Sequence, residues 1–164
     1  MNRITREQAF MLTAEVWARR STCMRRNIGA VIVVNNHIIA VGYNGAAPGE
    51  PHCDGLTCIP PGMLGCSRTL HAETNAIDRV PSDHIITPKI MFCTESPCIA
   101  CAAKIMDGPV RNFTAFYYLN EYRVDTGIKN LIMHKINVYR MTPSGFICRK
   151  SIDKCGNLTE ELVS

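Results

Sequence analysis

Apolar and polar positions along the chain fall into segments of two periods. Over residues 6–20, Phe10, Ala14, Trp17 and Ala18 share one side of a helical wheel and Glu7, Glu15, Arg19 and Arg20 the other, which predicts an amphipathic helix. An unbroken apolar run at 28–34, the pair Asn35-Asn36 and a second apolar run at 37–43 predict a β-hairpin with a buried first strand. His37, beside the turn, is expected to be exposed. Further on the pattern predicts a helix over 69–80 ended by Pro81, a buried strand over 89–94, a helix over 98–106, a strand over 113–118, a helix over 125–134 and a strand over 137–141. Strands alternating with helices indicate a three-layer α/β domain, its first hairpin antiparallel and its later strands parallel.

Composition narrows this to one domain over 1–164, with a cysteine-rich insertion at 50–68 and a peripheral extension from about residue 143 that holds Cys148 and Cys155. No apolar run is long enough to cross a bilayer, and Met1-Asn2-Arg3-Ile4-Thr5-Arg6-Glu7 lacks an apolar signal core, so a cytoplasmic location is expected. Nine cysteines are an odd number, which suits metal ligation in a reducing compartment better than a disulfide framework. The net charge of +4 suits a phosphorylated small molecule and falls short of the basic stripe of a nucleic-acid binder.

The candidate chemistry lies in two short motifs, His71-Ala72-Glu73 and Pro97-Cys98-Ile99-Ala100-Cys101. His71, Cys98 and Cys101 offer three ligands suited to Zn²⁺, which keeps a fourth position for water in a catalytic site, and Glu73 is the spare acid beside it. A helix opening at the second motif would favour both thiolates. Either motif alone is weak, since C-x-x-C is equally a redox pair, but H-x-E followed by P-C-x-x-C is the signature of the zinc nucleobase deaminases. In the insertion, Cys53, Cys58 and Cys66 could join Cys23 in a closed structural zinc site, with His52 as a substitute, or all could be scattered thiols. Asn44, in the glycine-rich bend Gly42-Tyr43-Asn44-Gly45, could be a turn former or could offer its amide to a sugar or base. Tyr122 and Arg123 follow a strand's C-terminal end, where α/β sheets place ligands, and Arg123 could clamp a phosphate or be a solvated charge.

The sequence resembles the deoxycytidylate (dCMP) deaminases of the cytidine deaminase-like superfamily. The resemblance rests on Ser21-Thr22-Cys23-Met24-Arg25-Arg26 leading into Gly29-Ala30-Val31-Ile32-Val33, on Gly42-Tyr43-Asn44-Gly45, His52-Cys53, Cys66-Ser67-Arg68-Thr69-Leu70-His71-Ala72-Glu73 and Ser96-Pro97-Cys98-Ile99-Ala100-Cys101. It implies a three-layer α/β/α fold with a five-stranded mixed sheet, zinc on His71, Cys98 and Cys101, and Glu73 as proton shuttle in turning dCMP into dUMP. Asn44 and Thr69 would be substrate contacts, with Arg26, Tyr122 and Arg123 toward the phosphate. It also implies activation by dCTP with Mg²⁺ and inhibition by dTTP at an effector site near Gly42, Tyr43, Asn44 and Gly45, a homohexamer, and in some members a second zinc. The segment 107–113 and the tail past Pro143 depart from the pattern. Competing expectations are deamination of a modified dCMP or of dCTP, deamination of a base in tRNA or single-stranded DNA, and a non-catalytic zinc-stabilised module.

Overall fold

The structure, a computed structural model, describes residues 3–53 and 68–163. Helix α1 (Arg6–Ala18) opens on a capping box: Thr5 Oγ1 accepts from the Gln8 amide at 3.1 Å, and the Gln8 side chain accepts from the Thr5 amide at 2.7 Å. Met11, Ala14 and Ala18 are buried and Phe10 and Trp17 pack beside them, whereas Leu12 and Val16 face outward. The predicted hairpin is present as β1 (Gly29–Val34) and β2 (His37–Tyr43), with His37 exposed. Asn35 and Asn36 have φ of 49° and 63°, the left-handed pair that a two-residue hairpin turn needs and asparagine tolerates.

Next come β3 (Gly45–Ala46), β4 (Thr69–Leu70), α2 (Ala72–Ile77), β5 (Lys89–Glu95), α3 (Ile99–Asp107), β6 (Phe113–Asn120), α4 (Thr126–Met133), β7 (Asn137–Met141), β8 (Ile147–Ile152) and β9 (Leu158–Leu162). The main sheet runs β2-β1-β5-β6-β7-β8-β9, with β5, β6 and β7 parallel and every other pairing antiparallel. Its first five members form the expected mixed sheet. Strands β8 and β9 extend it, so residues beyond Pro143, expected at the periphery, are a paired hairpin.

Alternate strand positions feed two cores. Ile32, Met91, Phe116 and Val138 face α2, α3 and α4, while Val31, Phe92 and Met141 face α1. On the α1 side Phe10, Phe92, Tyr117 and Tyr139 form a row of ring contacts with centroids 4.6 to 5.3 Å apart. The Lys89 ammonium, 1% exposed, donates to the carbonyls of Ile85, Thr87 and Arg111 and fastens the loops before β5 and β6.

The helix expected over 69–80 is shorter. Thr69 and Leu70 pair with Ala46 and Gly45, and this extended pairing delays the helix to Ala72. A Cβ on Gly42 would run into the backbone of Ala72 and Ala76, so β2 and α2 meet backbone to backbone and the start of α2 is held against the sheet.

Candidate active site

Two helix N-termini converge beyond the end of β5. His71 is the N-cap of α2, extended at φ −78° and ψ 152°, and Cys98 is the N-cap of α3, its sulfur accepting from the Cys101 amide at 3.5 Å. The His71 Nδ1 lies 3.2 Å from the Cys101 sulfur and 3.5 Å from the Cys98 sulfur. Their donor atoms all fall within 4.8 Å of one another, and among the described residues this is the only such group of three His, Cys, Asp or Glu. A tetrahedral zinc with Zn–S about 2.3 Å and Zn–N about 2.0 Å needs N···S separations of about 3.5 Å. The three side chains fit it.

Electrostatics at the site follow from burial and from these contacts. Without metal the two thiols share a proton: its hydrogen bond with Cys101 and the nearby His71 hold the Cys98 thiol down to about 4, and the same pairing together with burial pushes the Cys101 thiol up. Hydrogen bonding to Cys98, with nearby carboxylates and against burial, raises His71 to about 8. Glu73, in the first turn of α2 and 4% exposed, is pushed up to about 7, chiefly by burial.

A cavity of about 260 Å³ opens above these groups. Its wall includes His71, Glu73 and Cys98, and it also takes in Arg26, Asn44, Thr69, Tyr122 and Arg123, which the sequence proposed as substrate contacts. Asn44 is 3% exposed; its Oδ1 accepts from the Ile28 amide and its Nδ2 donates to the Arg26 carbonyl, each at 2.8 Å. It therefore braces the chain entering β1 and keeps one hydrogen and one lone pair beyond those bonds. The Thr69 hydroxyl is buried with no hydrogen-bond partner among the described residues. Arg123 stacks on the Tyr122 ring at 5.2 Å and donates to its hydroxyl at 2.9 Å.

The family model for the zinc-binding region of cytidine and deoxycytidylate deaminases matches residues 4–116. The chain belongs to this family. It is similar to ComE operon protein 2 of Bacillus subtilis, 36% identical over 126 residues that make up 75% of this chain and 64% of that protein. It is also similar to the deoxycytidylate deaminase of Schizosaccharomyces pombe, 31% identical over 75% of this chain and 39% of the yeast one, so it spans less than two thirds of these relatives' length. Among solved structures, the dCMP deaminase of cyanophage S-TIM5 in complex with dCMP and dUMP superposes with a TM-score of 0.71 and 35% identity, covering 82% of this chain and 96% of the phage one.

In this deaminase-family chain the cavity also draws on residues that sequence reasoning passed over. Arg25, Ile28, Glu95 and Ser96 line it. Glu95, 8% exposed, forms an ion pair with Arg26; burial raises its carboxyl and Arg26 opposes that. The available signal was position, since Glu95 and Ser96 close a buried strand directly before Pro97-Cys98. Cys23, proposed for a structural metal, is 8% exposed and borders the same cavity, and Cys53 is also buried. Cys58 and Cys66 lie outside the described residues. Of the residues proposed for an effector, Tyr43 and Gly45 border a second cavity of about 260 Å³ with Glu50, His52 and Arg79, Asn44 faces the first cavity, and Gly42 is packed against α2.

Proposed function

We propose that this chain hydrolyses dCMP to dUMP and ammonia. The observation that carries the reading is the convergence of His71 and Cys98 with a buried acid, Glu73, on the wall of one cavity that Arg25 and Arg123 also reach, with Cys101 directly behind them in the same group of donor atoms. Family membership and the dCMP and dUMP bound by the phage enzyme support the same choice of substrate.

The chain's own groups then divide the work. His71, Cys98 and Cys101 would hold the zinc, which when bound would supply the polarisation that brings the pKa of a water toward ~7. Glu73, a buried acid whose proton affinity is raised by burial, would take one proton from the attacking water and pass it to N3, then take the second from the oxygen now bonded to C4 and give it to the amino group as the C4–N bond breaks, so that ammonia leaves and C4 keeps a carbonyl. Tyr122 and Arg123 sit toward the phosphate, and Asn44 and Thr69 toward the sugar and base. Arg26 is paired with Glu95, which leaves Arg25 and Arg123 as the cavity-lining cations without a carboxylate partner among the described residues. The test is ammonia release from dCMP, CMP, dCTP, 5-methyl-dCMP and deoxycytidine. Turnover fastest on dCMP is expected; silence across the panel with zinc bound would overturn the reading.

Regulation and assembly complete the proposal. The second cavity, bordered by Tyr43 and Gly45, is the effector site, where dCTP with Mg²⁺ activates and dTTP inhibits. The chain acts as a single cytoplasmic domain assembled into a homohexamer, with no nucleic-acid or membrane partner, and a second zinc joins Cys23 and Cys53 to Cys58 and Cys66. Supporting the last point is the burial of Cys23 and Cys53. Effector titrations, sedimentation and zinc stoichiometry are the respective checks: no response to dCTP or dTTP, a monomer, or one zinc per chain would each remove the corresponding part.

A further inference from the structure

We propose that the C-terminal hairpin β8–β9 sets the geometry of the substrate end of the active-site cavity, with Lys150 as the positioning residue acting through Glu121 on Tyr122 and Arg123. This deepens the dCMP reading and rests on it for its kinetic consequence.

The segment that follows β6 is held from both sides. On the metal side, the Tyr122 amide donates to Ser96 Oγ at 2.7 Å, the Ser96 amide donates to the Asn120 carbonyl at 2.8 Å, and Asn120 Nδ2 donates to the Thr94 carbonyl at 3.0 Å. On the other side, the Lys150 ammonium lies 2.8 Å from Glu121 Oε1 and 2.7 Å from Glu160 Oε2. Successive residues thus point to opposite anchors, Glu121 to the hairpin and Tyr122 to the loop that precedes Cys98. Arg123 follows directly and rests on the Tyr122 ring, so the guanidinium is aimed by whatever fixes Tyr122.

Lys150 is suited to this because it is not an ordinary surface lysine. Its side chain is 9% exposed, and among the described residues the titratable groups that face it are Glu121 from beyond β6, Glu160 from β9, Tyr118 beneath and Cys148 of its own strand. Glu160 is itself gripped by Arg140 of β7 through both guanidinium nitrogens that reach it. The ammonium is therefore part of a rigid cross-strand network, and an anchor on a sheet is stiffer than one on a loop. Glu121 is 57% exposed; the Tyr118 hydroxyl donates to its Oε1 at 3.4 Å, and Lys150, 2.8 Å away, is its cationic partner among the described residues. Register supports the placement, since Val138, Lys150 and Glu160 are aligned across β7, β8 and β9, while Tyr118 pairs with Arg140 one step along.

The experiment compares the zinc-loaded full chain with Lys150→Met, Lys150→Arg and Glu121→Gln, the last placed on the exposed side of the pair so that one variant folds in any case. Two readouts are taken: steady-state kinetics on dCMP, and amide hydrogen exchange at Tyr122 without substrate. Lys150→Met and Glu121→Gln are expected to raise KM for dCMP about tenfold with kcat within about twofold, to speed Tyr122 exchange, and to be additive neither in KM nor in exchange when combined. Lys150→Arg should restore most of both. Unchanged Tyr122 exchange in the variants overturns the proposal, as does a loss that falls on kcat alone. If the wild-type chain turns over no dCMP, it is the substrate reading that has failed, and the exchange readout still decides the positioning role.

Discussion

Replacing Gly127 by alanine perturbs the metal loop without touching a ligand. The second residue of α4 lies against the chain entering α3: a Cβ there would overlap the Pro97 carbonyl oxygen, and would stand 2.9 Å from the Pro97 carbonyl carbon and 3.1 Å from that of Cys98. Ordinary carbon contacts begin at about 3.5 Å, so the two backbones must part by roughly half an ångström at the carbons and more at the oxygen. All the atoms involved are main chain, and no side-chain rotation relieves them. Overpacking of this kind costs about 1–3 kcal/mol, which for a domain of this size lowers Tm by roughly 2–12 °C. The displacement falls on Cys98, so zinc affinity should drop by about 10- to 100-fold, as when the groups that orient metal ligands are removed. The assay is thermal unfolding together with zinc competition against a chromophoric chelator. Gly156→Ala is the control: the turn between β8 and β9 has φ of 81° there with nothing within 4 Å, so alanine adds backbone strain of about 1 kcal/mol and leaves zinc affinity alone. Wild-type zinc affinity in Gly127→Ala would refute the argument that α4 holds the metal loop in place.

Glu73→Gln should keep the fold and the zinc but lower kcat by several orders of magnitude, because glutamine cannot carry the proton between water, N3 and the leaving amine; near-normal turnover would dismiss that role. Dialysis against a strong chelator should abolish activity and added Zn²⁺ should restore it, whereas loss without recovery would point to a different use of His71, Cys98 and Cys101. The Glu160 carboxyl is held at about 2, chiefly by Arg140 with burial opposing. Its folded value lies below its unfolded one, so it contributes stability that is present above about 4.5 and is lost as pH falls from there toward 2. The urea midpoint should therefore fall between pH 6 and pH 3 by less in Glu160→Gln than in the wild type; equal falls would remove the ion pair from the account.

Much of this was legible in the sequence. The apolar runs at β1, β5 and β6, the Asn35-Asn36 turn and the helical period of α3 and α4 located the central sheet, and the order of the motifs singled out His71, Cys98 and Cys101, whose donor atoms the fold brings together. The C-terminal hairpin was hidden for a physical reason. Strand β9 carries Thr159, Glu160 and Glu161 with little apolar surface, and what secures it is pairing with β8 and the charges of Arg140 and Lys150, which leave no hydrophobic period to read. The start of α2 was hidden in a similar way. Thr69 and Leu70 have helix-compatible neighbours, and only pairing with Gly45 and Ala46, more than twenty positions earlier, makes them extended. Glu95 was missed because a carboxylate at a strand end looks like a solvated charge until Arg26 is seen beside it.

The division of the metal ligands between the first turns of α2 and α3 also fixes when, in the life of the chain, the metal can be held. His71 and Cys98 are separated by 27 positions, so at synthesis rates of ~5–20 residues per second the histidine emerges roughly 1–5 s before the first thiol. Even then the half-site cannot close, because Cys98 reaches His71 only after β5 has inserted beside β1, made some sixty positions earlier. Zinc capture is thus a late step that reports on completed sheet assembly. Chains made during zinc shortage should accumulate with the sheet formed and the two thiols sharing one proton, ready to be loaded once the metal returns.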